Sequence, residues 1–170
     1  HICIINPDGS GFRQLTDGAF NDYYASLTST GEEIIFVSNR SDVFQIYLMK
    51  EDGSNLRSVP VDLEDIAAPD LSPDGSWIVF TGIKDNDKSI WLVRPDGSDL
   101  HLLFGLGSSE VDASWSRDGS RIAFASNHPG TVQLFAINPD GSDPRQVTNE
   151  VARIGGRSAW SADGNRLVFY

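Results

Sequence analysis

Short apolar runs of about five residues, separated by polar turns, recur along the whole chain. They come in groups of four. In the clearest group they are Ser114-Trp115-Ser116, residues 121–125, residues 133–137 and residues 145–148. We name these positions A, B, C and D. Position B recurs at residues 33–37, 77–81 and 166–170, and position C at residues 1–5, 45–49 and 89–93. The runs are rich in Ile, Val, Phe and Tyr and too short for helices, so they predict strands. Several are apolar on successive residues, which predicts burial on both faces. No longer run carries helical periodicity.

The turns fix the period. Gly9, Gly53, Gly97 and Gly141 are spaced 44 residues apart, and Gly31, Gly75, Gly119 and Gly164 follow at steps of 44, 44 and 45. A joins B through Ser72-Pro73-Asp74-Gly75, Ser116-Arg117-Asp118-Gly119 or Ser161-Ala162-Asp163-Gly164. C joins D through Asn6-Pro7-Asp8-Gly9, Arg94-Pro95-Asp96-Gly97 or Asn138-Pro139-Asp140-Gly141. Proline presets the first corner, Asp tolerates the second, and Gly takes the left-handed position that closes the hairpin. Four-stranded antiparallel units repeating at this length predict an all-β fold, a β-propeller. It comprises four blade equivalents. Whole blades span residues 24–59, 68–104 and 111–148; half blades span 1–16 (strands C and D) and 157–170 (strands A and B). Polar loops at 17–23, 60–67, 105–110 and 149–156 lead from each D to the next A.

The two halves are complementary: Tyr170 aligns with Ala125 at the end of B, and His1 with Gln133 at the start of C. Three arrangements follow. The chain closes a four-blade ring, two chains exchange halves in an eight-blade homodimer, or the chain is an open arc whose edges the missing blades of a longer propeller cover.

Charge narrows the partners. The net charge is −11, from 13 basic and 24 acidic residues. That argues against a nucleic-acid or anionic-membrane partner. No run approaches the length of a transmembrane helix, so no membrane insertion is expected. Cys3 is the one cysteine, so no internal disulfide forms. No signal peptide is visible, and the chain opens on a C strand without Met, as a processed chain or a fragment would.

The pattern of Trp115-Ser116, Asp118-Gly119 and residues 122–124, then residues 138–142 and 145–148, resembles the TolB-type propeller repeat, a WD-like family. The resemblance covers essentially the whole chain. It implies a bacterial β-propeller of the periplasm or cell envelope that binds proteins or peptides. Similar blades also sit beside the catalytic domain of prolyl-oligopeptidase-like and tricorn-like proteases, where they filter substrate. The family has an acidic residue three positions before the Trp. Here that is Asp112 alone; the equivalent positions hold Tyr24, Ala68 and Arg157, and the Trp itself is replaced by Leu27 and Leu71. A ring of identical ligands is therefore not expected.

Strand alternation puts the A–B and C–D turns on one face of the ring and the B–C and D–A loops on the other. The second face varies between copies, and binding residues concentrate on such loops. Candidates there are Asp22, Tyr23, Tyr24, Asp65, Asp112, Arg153 and Arg157 from the D–A side, with Arg40, Asp42, Lys84 and His128 from the B–C loops. For each, the competing reading is a solvated loop residue.

Other constellations are weaker. Asp85-Asn86-Asp87 starts like a calcium loop but lacks the following Gly and the distal acid, so it reads as a polar turn. His1, His101 and His128 fall at unrelated repeat positions without metal spacing. Trp115 and Trp160 align on A, Trp77 and Trp91 fall on B and C, and all four read as packing residues. There is no nucleophile elbow. The expected function is a non-enzymatic scaffold with no cofactor or metal, binding a protein or peptide through the B–C and D–A loop face. The alternative is the gating propeller of a larger serine hydrolase whose catalytic domain lies outside this chain.

Overall fold

The computed structural model describes residues 1–28, 30–128, 130–149 and 158–170, and they form strands and turns without helix. Three consecutive sheets are four-stranded and antiparallel. The first holds β3 (Asp22–Leu27), β4 (Glu33–Ser38), β5 (Gln45–Lys50) and β6 (Arg57–Val59). The second holds β7 (Asp65–Leu71), β8 (Ile78–Lys84), β9 (Asp87–Val93) and β10 (His101–Phe104). The third holds β11 (Glu110–Trp115), β12 (Ile122–Ser126), β13 (Gln133–Ile137) and β14 (Arg145–Gln146). Two-stranded sheets flank them: β1 (Cys3–Ile4) with β2 (Arg13–Gln14), and β15 (Ser158–Trp160) with β16 (Leu167–Phe169). Strand order within each sheet follows A-B-C-D. Both β1 and β16 pair only within their own two-stranded sheets, and no β16–β1 ladder forms among the described residues.

The doubly apolar B strands pack as their sequence implies. Alternate residues of β4 face opposite neighbours. Ile34 and Phe36 join Ile2, Tyr47 and Met49 against the first half blade. Ile35 and Val37 join Ile46, Leu48 and Val59 against Ile66, Ile78 and Phe80 of the next sheet. The β8 strand repeats the arrangement, with Val79 packing toward Trp115, Ile122 and Phe124 of the third. Burial therefore lies between blades rather than in one centre, and each blade is stabilised by its two neighbours.

Strand A starts earlier than expected. The stretches ahead of Tyr24, Ala68 and Val111 read as loop, yet β3, β7 and β11 begin at Asp22, Asp65 and Glu110. The cause is a bulge. Pairing of A with B shifts register between Tyr23 and Ser26, between Ala67 and Asp70, and between Val111 and Ser114. Tyr24, Ala68 and Asp112 sit inside these bulges with φ of 56°, 47° and 56°. An extra left-handed residue breaks the period of two from which strands are read.

All eight glycines of the two series have positive φ, between 70° and 87°. Around Gly119 the turn is closed by its N–H donating to the Ser116 carbonyl at 2.9 Å. The Asp118 carboxylate accepts from the Ser116 hydroxyl at 2.7 Å and from the Ser120 N–H at 3.0 Å. A Cβ on Gly119 would meet nothing nearer than Pro73 Cδ at 3.7 Å. Gly119→Val is therefore opposed by backbone strain alone, and thermal melts should show a loss of about 1–3 kcal/mol.

Those donors hold Asp118 at a pKa of about 2, below the ordinary 3.8, the Ser120 N–H contributing most. Asp8, Asp52, Asp74, Asp96, Asp140 and Asp163 are lowered in the same way by hydrogen bonds within their turns. A lowered carboxyl favours the fold above its unfolded pKa and loses that contribution as pH falls through its folded one. Stability should thus be level above pH 3.8 with respect to Asp118 and fall toward about pH 2, where its carboxyl signal in an NMR titration moves.

The Asp85-Asn86 stretch is a two-residue hairpin turn. Lys84 pairs with Asp87, and Asp85 and Asn86 have φ of 52° and 63°. This is the left-handed pair that the tightest hairpins require.

Candidate functional site

Strand A of every sheet that has one lines a shared cavity of about 410 Å³. Ser26 comes from β3, Asp70 from β7, Asp112 and Trp115 from β11, and Trp160 from β15. This is the central channel of the blade array. Its wall is tied across blades: the Trp115 N–H donates to Asp70 Oδ2 at 2.8 Å, and Trp160 Nε1 to the Ser114 carbonyl at 3.3 Å. Trp115 and Trp160 thus have a double role that the sequence did not disclose. They pack between blades, as expected, and also face the channel.

A second cavity, about 270 Å³, opens where strands A begin. It is lined by Tyr24 from the first whole blade, Asp65, Thr81 and Lys88 from the second, and Asp112 from the third. Asp112 borders both cavities. The bulges make this convergence. A left-handed residue re-aims the chain, and the same bulge position in blades one and three supplies Tyr24 and Asp112.

The candidates divide. Tyr24, Asp65 and Asp112 share the smaller cavity. Tyr23 lies beside Tyr24, edge to face at 6.4 Å, and 5.9 Å from Phe44. Both tyrosines are close to half exposed, at 50% and 44%. Asp22 and Arg40 are engaged with each other at 2.9 Å, the carboxylate side chain fully buried and the guanidinium 14% exposed. Burial pushes the Asp22 carboxyl up, but hydrogen bonds from Thr16, Ser38 and Arg40, with the Arg40 charge, hold it below the usual range. Arg40 also lies over the rings of Phe20, Phe36 and Tyr47 at 5.5, 5.3 and 5.1 Å. Asp42 and His128 lie in B–C loops and Lys84 ends β8; all three are exposed and line neither cavity. Arg153 and Arg157 lie outside the described residues, as does the 149–156 loop beyond its first residue.

Glu110, which opens β11 where Asp22 opens β3, is fully buried and accepts hydrogen bonds from the hydroxyls of Ser108 and Ser126. It was not among the candidates. It stands 88 residues, two repeat periods, after Asp22, and that spacing was the available signal. Among the described residues, no group of His, Cys, Asp and Glu is arranged to hold a metal ion. His101 stands on the outer strand, its ring 5.3 Å from Trp77 and its Nδ1 2.7 Å from the Asp99 carbonyl.

Antiparallel four-stranded blades set side by side, with their first strands lining a channel, define a β-propeller. A family model for the TolB β-propeller domain matches residues 63–170, and the chain belongs to that family. Solved structures agree on the fold. TolB of Acinetobacter baumannii superposes with a TM-score of 0.83 at 20% identity, covering 98% of this chain and 42% of that one. A TolB of Agrobacterium tumefaciens gives 0.78 at 23%, covering 95% and 63%. A puromycin-hydrolysing peptidase of Mycobacterium tuberculosis gives 0.71 at 16%, covering 88% and 28%. The chain thus spans less than two thirds of the length of each of these three proteins.

Proposed function

We propose that this chain is a non-enzymatic scaffold that binds a protein or peptide at the face carrying its B–C and D–A loops, in the periplasm or cell envelope of a bacterium. The observation that carries this reading is the convergence of Tyr24, Asp65 and Asp112, from three successive blades, on one cavity beside the half-exposed Tyr23. The location rests on the family. A photo-crosslinking residue at Tyr24, and another at Gly119 on the opposite face, test it. Cross-links to a discrete envelope protein should form from position 24 only. Equal capture at both positions would refute a loop-face site.

The likeness to a puromycin-hydrolysing peptidase supports a second reading, the gating propeller of a larger hydrolase. Under either reading this chain alone hydrolyses nothing, and a screen of peptidase and esterase substrates should stay at background. Turnover lost on mutating one loop residue would overturn both. The parent reading frame separates them, through a hydrolase segment with a nucleophile elbow or further repeats alone. We assign the cover of the open edges of β1 and β16 to further blades of a longer propeller or to a second copy of the chain; sedimentation as a compact dimer would select the latter.

A further inference from the structure

The repeats act as internal controls for one another, and one corner of the loop face departs from them. The first whole blade carries Phe20, Tyr23, Tyr24, Val43 and Phe44. The second blade holds Glu64, Ala67, Ala68, Asp87 and Lys88 at the same places. The strand registers confirm the match, Tyr23 pairing with Val37 as Ala67 pairs with Thr81. The blade fold is therefore met at these positions without aromatic residues. Phe44 is partly buried against the core between the first two blades, but Tyr23, Tyr24 and Val43 stay exposed, Val43 at 59%.

Tyr24 adds a conformational argument. It holds φ of 56°, a region that Asp tolerates and a bulky aromatic residue does not. Asp112 occupies the same bulge position in the third blade with the same φ. A strained, half-exposed ring where Ala68 and Asp112 serve in the next two blades is a mark of a contact surface.

The surroundings are acidic. The cavity wall at Tyr24 holds Asp65 and Asp112 against Lys88. Asp42 precedes Val43 in the B–C loop, and Asp17 begins the D–A loop. Arg40, also on this side, is bound to Asp22 and already lies over Phe20. The chain as a whole carries −11. Ring faces bordered by carboxylates favour a guanidinium or ammonium group.

Resting on the loop-face reading above, we propose that the corner formed by Tyr23, Tyr24, Val43 and Phe44 docks a basic, extended peptide segment of the partner, its Arg or Lys side chains lying over the tyrosines and toward Asp42 and Asp65.

A random linear peptide library panned on the 170-residue chain tests this. Selected peptides should be rich in Arg and Lys, and added salt should weaken their binding. Tyr24→Gly should weaken it about tenfold, the effect of losing one good anchor. The same change relieves the left-handed strain, so the melting point should hold or rise; a merely structural Tyr24 would lower it. Tyr23→Ala and Asp65→Asn serve as second variants and should each weaken binding. Acidic or uncharged winners, no winners, or basic winners indifferent to all three substitutions would overturn the proposal. The broader loop-face reading stands or falls separately, on the cross-link from position 24.

Discussion

Arg40→Ala should cost about 3–5 kcal/mol in urea unfolding, as expected when one partner of a buried ion pair is removed. The Asp22 side chain is fully buried and Arg40 is 2.9 Å from it. Without the guanidinium, the carboxylate keeps the Thr16 hydroxyl at 2.7 Å but no opposite charge from that side chain. The rings of Phe20, Phe36 and Tyr47 lose their cation as well. Asp22→Ala added to Arg40→Ala should recover part of the loss, since the stranded charge is the larger penalty. A single-variant loss below about 1 kcal/mol would mean the pair behaves as a surface pair.

The second large effect separates two residues of one series. Phe36, Phe80 and Phe124 occupy the same position of successive B strands and are fully buried, whereas Phe169, the fourth member, is 39% exposed. Phe124 packs against Phe104 at 4.9 Å and Phe135 at 5.7 Å. Phe124→Ala should cost about 3–5 kcal/mol, a large share of the stability of an ordinary domain. Phe169→Ala should cost about 1–2 kcal/mol, because among the described residues its sheet has no C strand to cover the ring. Denaturant midpoints of the two variants decide this. Equal losses would mean that β16 is covered in solution.

The sequence disclosed the blades because two of their determinants are local. Gly9 and Gly119 mark turns whose geometry the Asp-Gly pair dictates, and the apolar runs of β4, β8 and β12 mark strands packed on both faces. The site was less legible, for a different reason. Tyr24 and Asp112 were candidates as residues of the D–A side, but their bulges hide the strand they belong to. Asp22 and Arg40 were chosen separately as charged loop residues. Their mutual pairing depends on Asp22 standing opposite Ser38 across β3 and β4, a register invisible before the bulge is placed. The cavity itself joins residues from three blades, and no local spacing encodes that.

The Asp-Gly turns also have a colloidal consequence. Strand alternation gathers the A–B and C–D turns on one side of the molecule, and seven of their carboxyls are held below the usual range. That side stays anionic well into mild acid, while the loop side mixes carboxylates with Lys84, Lys88 and His128. Two such molecules repel when they approach turn side to turn side, over a screening length of about 8 Å at physiological salt. Crowded molecules are thereby turned away from stacking on that side.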